Sequence, residues 1–190
     1  MKKVLVIFDC FGVLGERVTS IFMKRHLDPE TQRRLEETLV LDGDKGLVSR
    51  EDYLKALADA ANMTVGEVEA EYDELYKLHP DLMPVIERIR DFADTALLSN
   101  AFFGHAEGII DKYNIRHLFD KVFLSCDMGL AKPDPKIYEV CRDSFGKKYD
   151  EVYMVDDTDA NLAPLSKIGI IPIKYVSPES VTEALKKYFR

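Results

Sequence analysis

Five short aliphatic runs recur along the chain, and the stretches between them repeat apolar residues every three or four positions. The runs are KKVLVIFD (2–9), TALLSN (95–100), KVFLS (121–125), EVYMVDD (151–157) and GIIPIKY (169–175). Each is rich in aliphatic residues and bounded by polar, Gly or Pro punctuation, the pattern of strands buried on both faces. Leu82, Val85, Ile86, Ile89 and Phe92 mark one intervening helix; Phe103, Ala106, Ile109, Ile110 and Tyr113 mark the next. A third carries Ile137, Val140, Cys141 and Phe145, with Asp134 as N-cap and Pro135 at its first position. A fourth is expected over 160–168, ending at a left-handed Gly169, and a last one starts at Ser177-Pro178. Such alternation predicts a doubly wound α/β fold with a five-stranded, mostly parallel sheet.

One region departs from this rhythm. Residues 15–79 contain no strand pattern, only helical periods, two of them opened by the capping signatures Ser49-x-x-Asp52 and Thr64-x-x-Glu67. Tyr53, Leu54, Leu57, Ala58 and Ala61 line one apolar face; Val65, Val68, Tyr72, Leu75 and Tyr76 line another. The chain therefore divides into an α/β core, 1–14 with 80–190, and a small inserted α-helical unit, 15–79. The insertion leaves where the first strand ends, which places it over the carboxyl ends of the strands, where open α/β sheets bind ligands.

With 190 residues, one domain with a small insertion is the expected size. The chain carries 34 acidic against 26 basic side chains, a net charge of −8, which disfavours nucleic acid and anionic membrane surfaces as partners. An anionic substrate would need a local cation to overcome that field. The first apolar run, Val4 to Phe8, is too short for a signal peptide core or a membrane span. Cys10, Cys126 and Cys141 and the four histidines show no metal-ligand spacing, so a reducing, cytoplasmic setting without zinc is expected.

Four polar features stand where the strands run out: Asp9 after the first, Ser99-Asn100 after the second, Lys132 in GLAKPDP after the third, and Asp156-Asp157 at the fourth. Any one of them alone is ordinary cap or loop chemistry. In an open sheet all four converge on one crevice, and together they read as a site.

The same residues carry a family resemblance. FDCFGVL, LLSN, GLAKPDPKIY and YMVDDTDANLAPLSKIGI, in this order, resemble the four motifs of the haloacid dehalogenase (HAD) superfamily, in members with a helical cap inserted after the first motif. The resemblance implies a HAD/Rossmann-like core and Asp9 as a nucleophile that forms an aspartyl intermediate. It implies Ser99 and Asn100 as binders of the transferring group, and Lys132 as the electrostatic partner of nucleophile and substrate. Mg²⁺ would be held by Asp9, Asp156, Asp157 and the backbone carbonyl of Phe11. Elementary electrostatics supports that allocation, because a carboxylate attacks a phosphate dianion only when cations separate the like charges. Oxygen ligands without His or Cys favour Mg²⁺ over zinc.

The superfamily contains phosphatases and metal-free dehalogenases, and two features point in opposite directions. The phosphatase pattern has a proton-transferring Asp two residues after the nucleophile, where this chain has Phe11; dehalogenases also carry an aromatic residue there. Dehalogenases lack the acidic pair that this chain keeps. Carboxylates about 4 Å apart repel by roughly 4 kcal/mol at an effective dielectric near 20, so the pair calls for a cation. Arg17, Arg25, Arg33 and Arg34 are available, but none matches a halide-binding arginine by motif. The expected function is thus a Mg²⁺-dependent phosphatase acting on a small phosphomonoester. Loss of the acid at position 11, worth roughly 10²–10⁴-fold, should make it slow or selective for good leaving groups. Glu16 or His26 could replace the missing base. The alternatives are a catalytically retired HAD-fold binding or regulatory protein and a 2-haloacid dehalogenase.

Overall fold

In the computed structural model, which describes residues 3–189, five strands form one sheet: β1 (Val4–Phe8), β2 (Ala93–Ser99), β3 (Lys121–Leu124), β4 (Glu151–Asp156) and β5 (Ile171–Lys174). Their spatial order is β3-β2-β1-β4-β5, and all four pairings are parallel. All five residues of β1 are buried, as a central strand covered on both faces requires. The edges behave differently: β5 is largely exposed and carries Pro172, which an edge strand tolerates because one row of its backbone groups pairs with nothing.

Alternate residues of β1 feed two cores. Val4, Val6 and Phe8 pack with Leu97, Tyr153, Val155, Ile86 and Ile109 on one face, whereas Leu5 and Ile7 pack with Leu98, Met154, Ile137 and Tyr138 on the other. Cys10 lies buried with the first group.

Between β1 and β2 the chain is helical: α1 (Val18–His26), α2 (Pro29–Leu35), α3 (Leu41–Asp44), α4 (Arg50–Ala61), α5 (Val65–Leu75) and α6 (Met83–Ile89). A π-helical turn, Glu36–Val40, joins α2 to α3. Local chemistry sets these limits. The Thr64 hydroxyl accepts from the Glu67 N–H while the Glu67 carboxylate accepts from the Thr64 N–H, a reciprocal capping box. At Ser49 only the forward half forms, with Ser49 Oγ accepting from the Asp52 N–H and donating to the Asp52 carboxylate. The apolar faces of α4 and α5 join the same buried cluster as Phe8, through Tyr53, Leu57, Val68 and Tyr72.

The remaining helices are α7 (His105–Lys112), α8 (Ser125–Met128), α9 (Pro135–Asp143), α10 (Asp159–Leu162) and α11 (Pro178–Ala184). Asp134 caps α9 by accepting from the Lys136 N–H, as expected from Asp-Pro. The helix expected over 160–168 is instead two pieces, α10 and a 3₁₀ turn over Leu165–Ile168, separated at Pro164, which has no N–H to continue an α-helical ladder. Gly169 closes the second piece in the left-handed region. Phe102 rather than Phe103 is the fully buried ring, because α7 begins only at His105, after a left-handed Gly104.

Candidate active site

Parallel register puts the ends of β1 and β4 side by side. Phe8 pairs with Val155, and the Asp9 N–H donates to the Val155 carbonyl at 2.9 Å, so Asp9 stands level with Asp156. Lys132 joins the two: its Nζ lies 2.7 Å from Asp9 Oδ1 and 2.8 Å from Asp156 Oδ2, with the side chain wholly buried. Asp9 Oδ1 also accepts from the Cys10 N–H at 2.7 Å.

Two asparagines brace this triad. Asn100 straps the lysine loop to the end of β2: its Oδ1 accepts from the Lys132 N–H at 2.8 Å and its Nδ2 donates to the Lys132 carbonyl at 3.0 Å. Asn161 Nδ2 donates to both oxygens of Asp156, at 3.2 and 3.1 Å, and the Thr158 N–H donates to Asp156 Oδ1 at 2.8 Å. Asp156, fully buried, is thereby held by four hydrogen bonds from three donors, Lys132 Nζ, Asn161 Nδ2 and the Thr158 N–H. Ser99 is also fully buried, with its Oγ donating to the Asn100 carbonyl at 3.3 Å, and lies behind the cavity wall that Asn100 helps to form.

Asp157 has its own cation. Arg17, just ahead of α1, places Nε 2.7 Å and Nη2 2.6 Å from Asp157 Oδ2, and Nη2 also donates to Thr158 Oγ1 at 2.5 Å. The Asp157 carboxylate lies directly over the turn after Asp9. A side chain at Gly12 would put its Cβ 2.1 Å from Asp157 Oδ2, and Gly12 has φ +93°, so the turn requires glycine on both counts. Asp9, Asp156 and Asp157 each bring a carboxylate oxygen within 4.8 Å of the others, a hard-oxygen set suited to Mg²⁺.

Charge balance follows. Burial pushes the Asp9 carboxyl up to about 8, with Asp156 adding to the rise and Lys132 opposing it. Burial alone would lower Lys132, but the two carboxylates reverse the effect and hold it charged. Once Asp9 is ionised, three carboxylates face two protein cations, Lys132 between Asp9 and Asp156 and Arg17 on Asp157, leaving one negative charge for a further cation.

A cavity of about 210 Å³ opens in front of Asp9. Its polar side comprises Asp9, Lys132, Asn100, Thr158 and Asn161; the helical insertion supplies Val18, Met23, Glu36, Val40 and Asp44. Residues of the helical stretch between β1 and β2 thus share this cavity with residues at the strand ends. One wall is a column of four rings. Phe11 stacks on His105 at 4.2 Å between centroids, His105 on Phe102 at 4.4 Å, and Phe102 on Tyr53 at 4.0 Å. Burial, helped by Arg50, drives His105 down to about 3, so its imidazole is neutral.

The structure gathers Asp9, Asn100, Lys132, Asp156 and Asp157 at one place, with Ser99 just behind and Phe11 presenting its ring to the cavity. Glu16 and His26 lie elsewhere: Glu16 faces His79 at 3.8 Å, and His26 bonds Glu71 at 2.7 Å. Sequence reasoning did not find Asp44, His105 or Tyr53. Asp44 and Tyr53 sit on the insertion, which matches no motif, and His105 reads as an ordinary helix residue.

The model of the haloacid dehalogenase-like hydrolases matches residues 4–169. The chain belongs to that family. Among curated proteins, this hydrolase is 31% identical over 116 residues to acyl-CoA dehydrogenase family member 10 of Mus musculus. The match covers 60% of this chain but only 11% of that much longer protein. Among solved structures, the HAD family enzyme bt-2542 of Bacteroides thetaiotaomicron superposes with TM-score 0.81 at 18% identity, over 97% of this chain and 99% of that one. The same enzyme in complex with magnesium and inorganic phosphate superposes at 0.73, with 22% identity over 92% and 94% of the chains. The L-2-haloacid dehalogenase of Xanthobacter autotrophicus, with chloropropionic acid covalently bound, gives 0.67 at 17% identity over 98% and 83%. At these identities the structural likeness speaks to the fold. Among the described residues no helix is long and apolar enough to cross a membrane.

Proposed function

We propose that this HAD-like hydrolase is a Mg²⁺-dependent phosphatase that cleaves a small phosphomonoester through an aspartyl-phosphate on Asp9. The observation that carries this reading is the convergence of Asp9, Asp156 and Asp157 within 4.8 Å beside a cavity. Mg²⁺ held by these three carboxylates and the Phe11 carbonyl would neutralise charge on the transferring phosphoryl oxygens. Lys132 favours the ionised form of Asp9 against the effect of burial and offers a positive charge to the same oxygens. Asn100 fixes the backbone of Lys132, and Ser99 and Asn100 frame the phosphoryl position. Asn161 and Thr158 keep Asp156 oriented. The 15–79 segment acts as the cap that closes the cavity and sets substrate size.

A dehalogenase reading draws on the aromatic Phe11 and the ring-lined wall. The arginines argue against it: Arg17 alone among the four candidates lines the cavity, and its guanidinium is committed to Asp157 and Thr158. A retired binding protein would have no reason to keep Asp9, Lys132 and Asp156 in bonding contact.

The test is a panel of phosphomonoesters with and without Mg²⁺, alongside 2-chloropropionate without metal. Metal-dependent phosphate release that Asp9→Asn abolishes is the expected result. Chloride release without metal, or phosphate release that survives Asp9→Asn, would remove the proposal.

A further inference from the structure

Proton transfer to the leaving oxygen needs an acid, and the position two residues beyond Asp9 holds Phe11, locked in a ring stack. Among the described residues lining the cavity, the carboxyl groups are Asp9, Glu36 and Asp44. Asp9 is the proposed nucleophile and Glu36 is exposed on the π-helical turn. Asp44 is half-buried at the end of α3 and lines the same cavity as Asn100.

Its placement is fixed by packing. Gly43 lies flat on the aromatic column: a Cβ there would come 2.6 Å from Tyr53 Cε2 and 3.2 Å from Phe102 Cβ. Two residues beyond Asp44, Gly46 lies against the Cys126 carbonyl, where a Cβ would stand 2.2 Å away. The segment is thus pressed onto both the rings and the α8 backbone, and Asp44 between these contacts is turned inward. There its carboxyl lines the cavity together with Asn100, Tyr53 and Lys132, and the Lys132 charge acts on it.

Resting on the phosphatase reading, we propose that Asp44 is the catalytic acid and base of this enzyme, delivered from the insertion in place of the residue missing at position 11. When an Asp9 oxygen bonds to phosphorus and the ester P–O bond breaks, the departing oxygen keeps the electron pair and takes the Asp44 proton. The Asp44 carboxylate then takes a proton from a water whose oxygen attacks phosphorus. That step releases inorganic phosphate and Asp9 and returns Asp44 to its acid form. Burial raises the Asp44 carboxyl to about 7, the range in which one group serves both steps at neutral pH.

The experiment compares wild type, Asp44→Asn and Asp44→Glu on p-nitrophenyl phosphate and propyl phosphate with Mg²⁺, with unfolding midpoints measured for each; Asp44→Ser serves if Asp44→Asn fails to fold. Wild type is expected to turn over both esters. Asp44→Asn should lose roughly 10²–10⁴-fold of kcat on propyl phosphate. On p-nitrophenyl phosphate, whose leaving group needs no proton, it should give a burst of about one nitrophenolate per site and then stall. Asp44→Glu should recover at least about tenfold of the loss on propyl phosphate. Wild-type turnover confined to the aryl ester overturns the assignment of Asp44. So does an Asp44→Asn enzyme within about threefold of wild type on both esters, or a uniform loss without a burst or rescue. A wild type with no Mg²⁺-dependent turnover of either ester overturns the phosphatase reading, and the role of Asp44 falls with it.

Discussion

Phe11 and His105 lie ring on ring, with centroids 4.2 Å apart and planes inclined by 25°. The stack continues through Phe102 to Tyr53, so the side chain two places beyond Asp9 serves as wall rather than proton donor. A neutral His105 suits that column, because a charge buried among rings would carry a large desolvation cost.

Replacing the wall by an acid separates its two possible effects. With Asp44 intact, Phe11→Asp should leave propyl phosphate turnover within a few-fold of wild type, since an acid is already present. In an Asp44→Asn background the same change should raise kcat at least about tenfold. Steady-state rates of the four enzymes, read as a double-mutant cycle, check this.

Lys132→Met should inactivate the enzyme and cost about 3–5 kcal/mol of stability, because Asp9 and Asp156 would be left facing each other without their cation. Adding Asp9→Asn should return part of that stability without returning activity. Urea unfolding of the three variants, compared at one pH, is the measurement.

Most of the sheet could be read in advance because its strands are short, buried and sharply punctuated. The four strand-end features meet because parallel strands carry their chemistry at one end. Arg17 is a different case. Its contact with Asp157 spans 140 residues of sequence and depends on where α1 starts, which no local pattern encodes. Asp44 was hidden for a related reason: it lies in a region that matches no motif, and its place shows only once Gly43 and Gly46 are seen pressed on Tyr53 and Cys126. The single helix expected over 160–168 failed at Pro164, a residue whose missing N–H was visible in the sequence all along.

Metal affinity should respond in opposite directions to two neighbours of the carboxylates. Asn161→Ala frees Asp156 to rotate and should weaken Mg²⁺ binding by roughly 10–100-fold. Arg17→Gln removes a cation that competes for Asp157; the pair is partly exposed, so the gain in Mg²⁺ affinity should be only about 2–5-fold. Isothermal titration of each variant with Mg²⁺ decides both.

Acid should destabilise the fold through His105. Its folded value of about 3 lies below the ordinary 6.5, so the unfolded chain binds the proton more readily. The associated stability is whole above pH 6.5 and is lost as the pH falls from there towards 3, by up to about 1.4 kcal/mol per unit. His105→Phe keeps an aromatic ring in the column and removes the proton, so its urea midpoint should change less between pH 7.5 and 5 than that of wild type.

Gly43 and Gly46 bear on how the specificity of this enzyme could be redesigned. Both touch the core with no side chain between, so any larger residue at either position would lever the segment outward and carry Asp44 away with it. Libraries aimed at new substrates should therefore hold these two positions constant. Diversity belongs at Val40, a partly buried residue of the same cavity, rather than at Val18 and Met23, which are buried in the core.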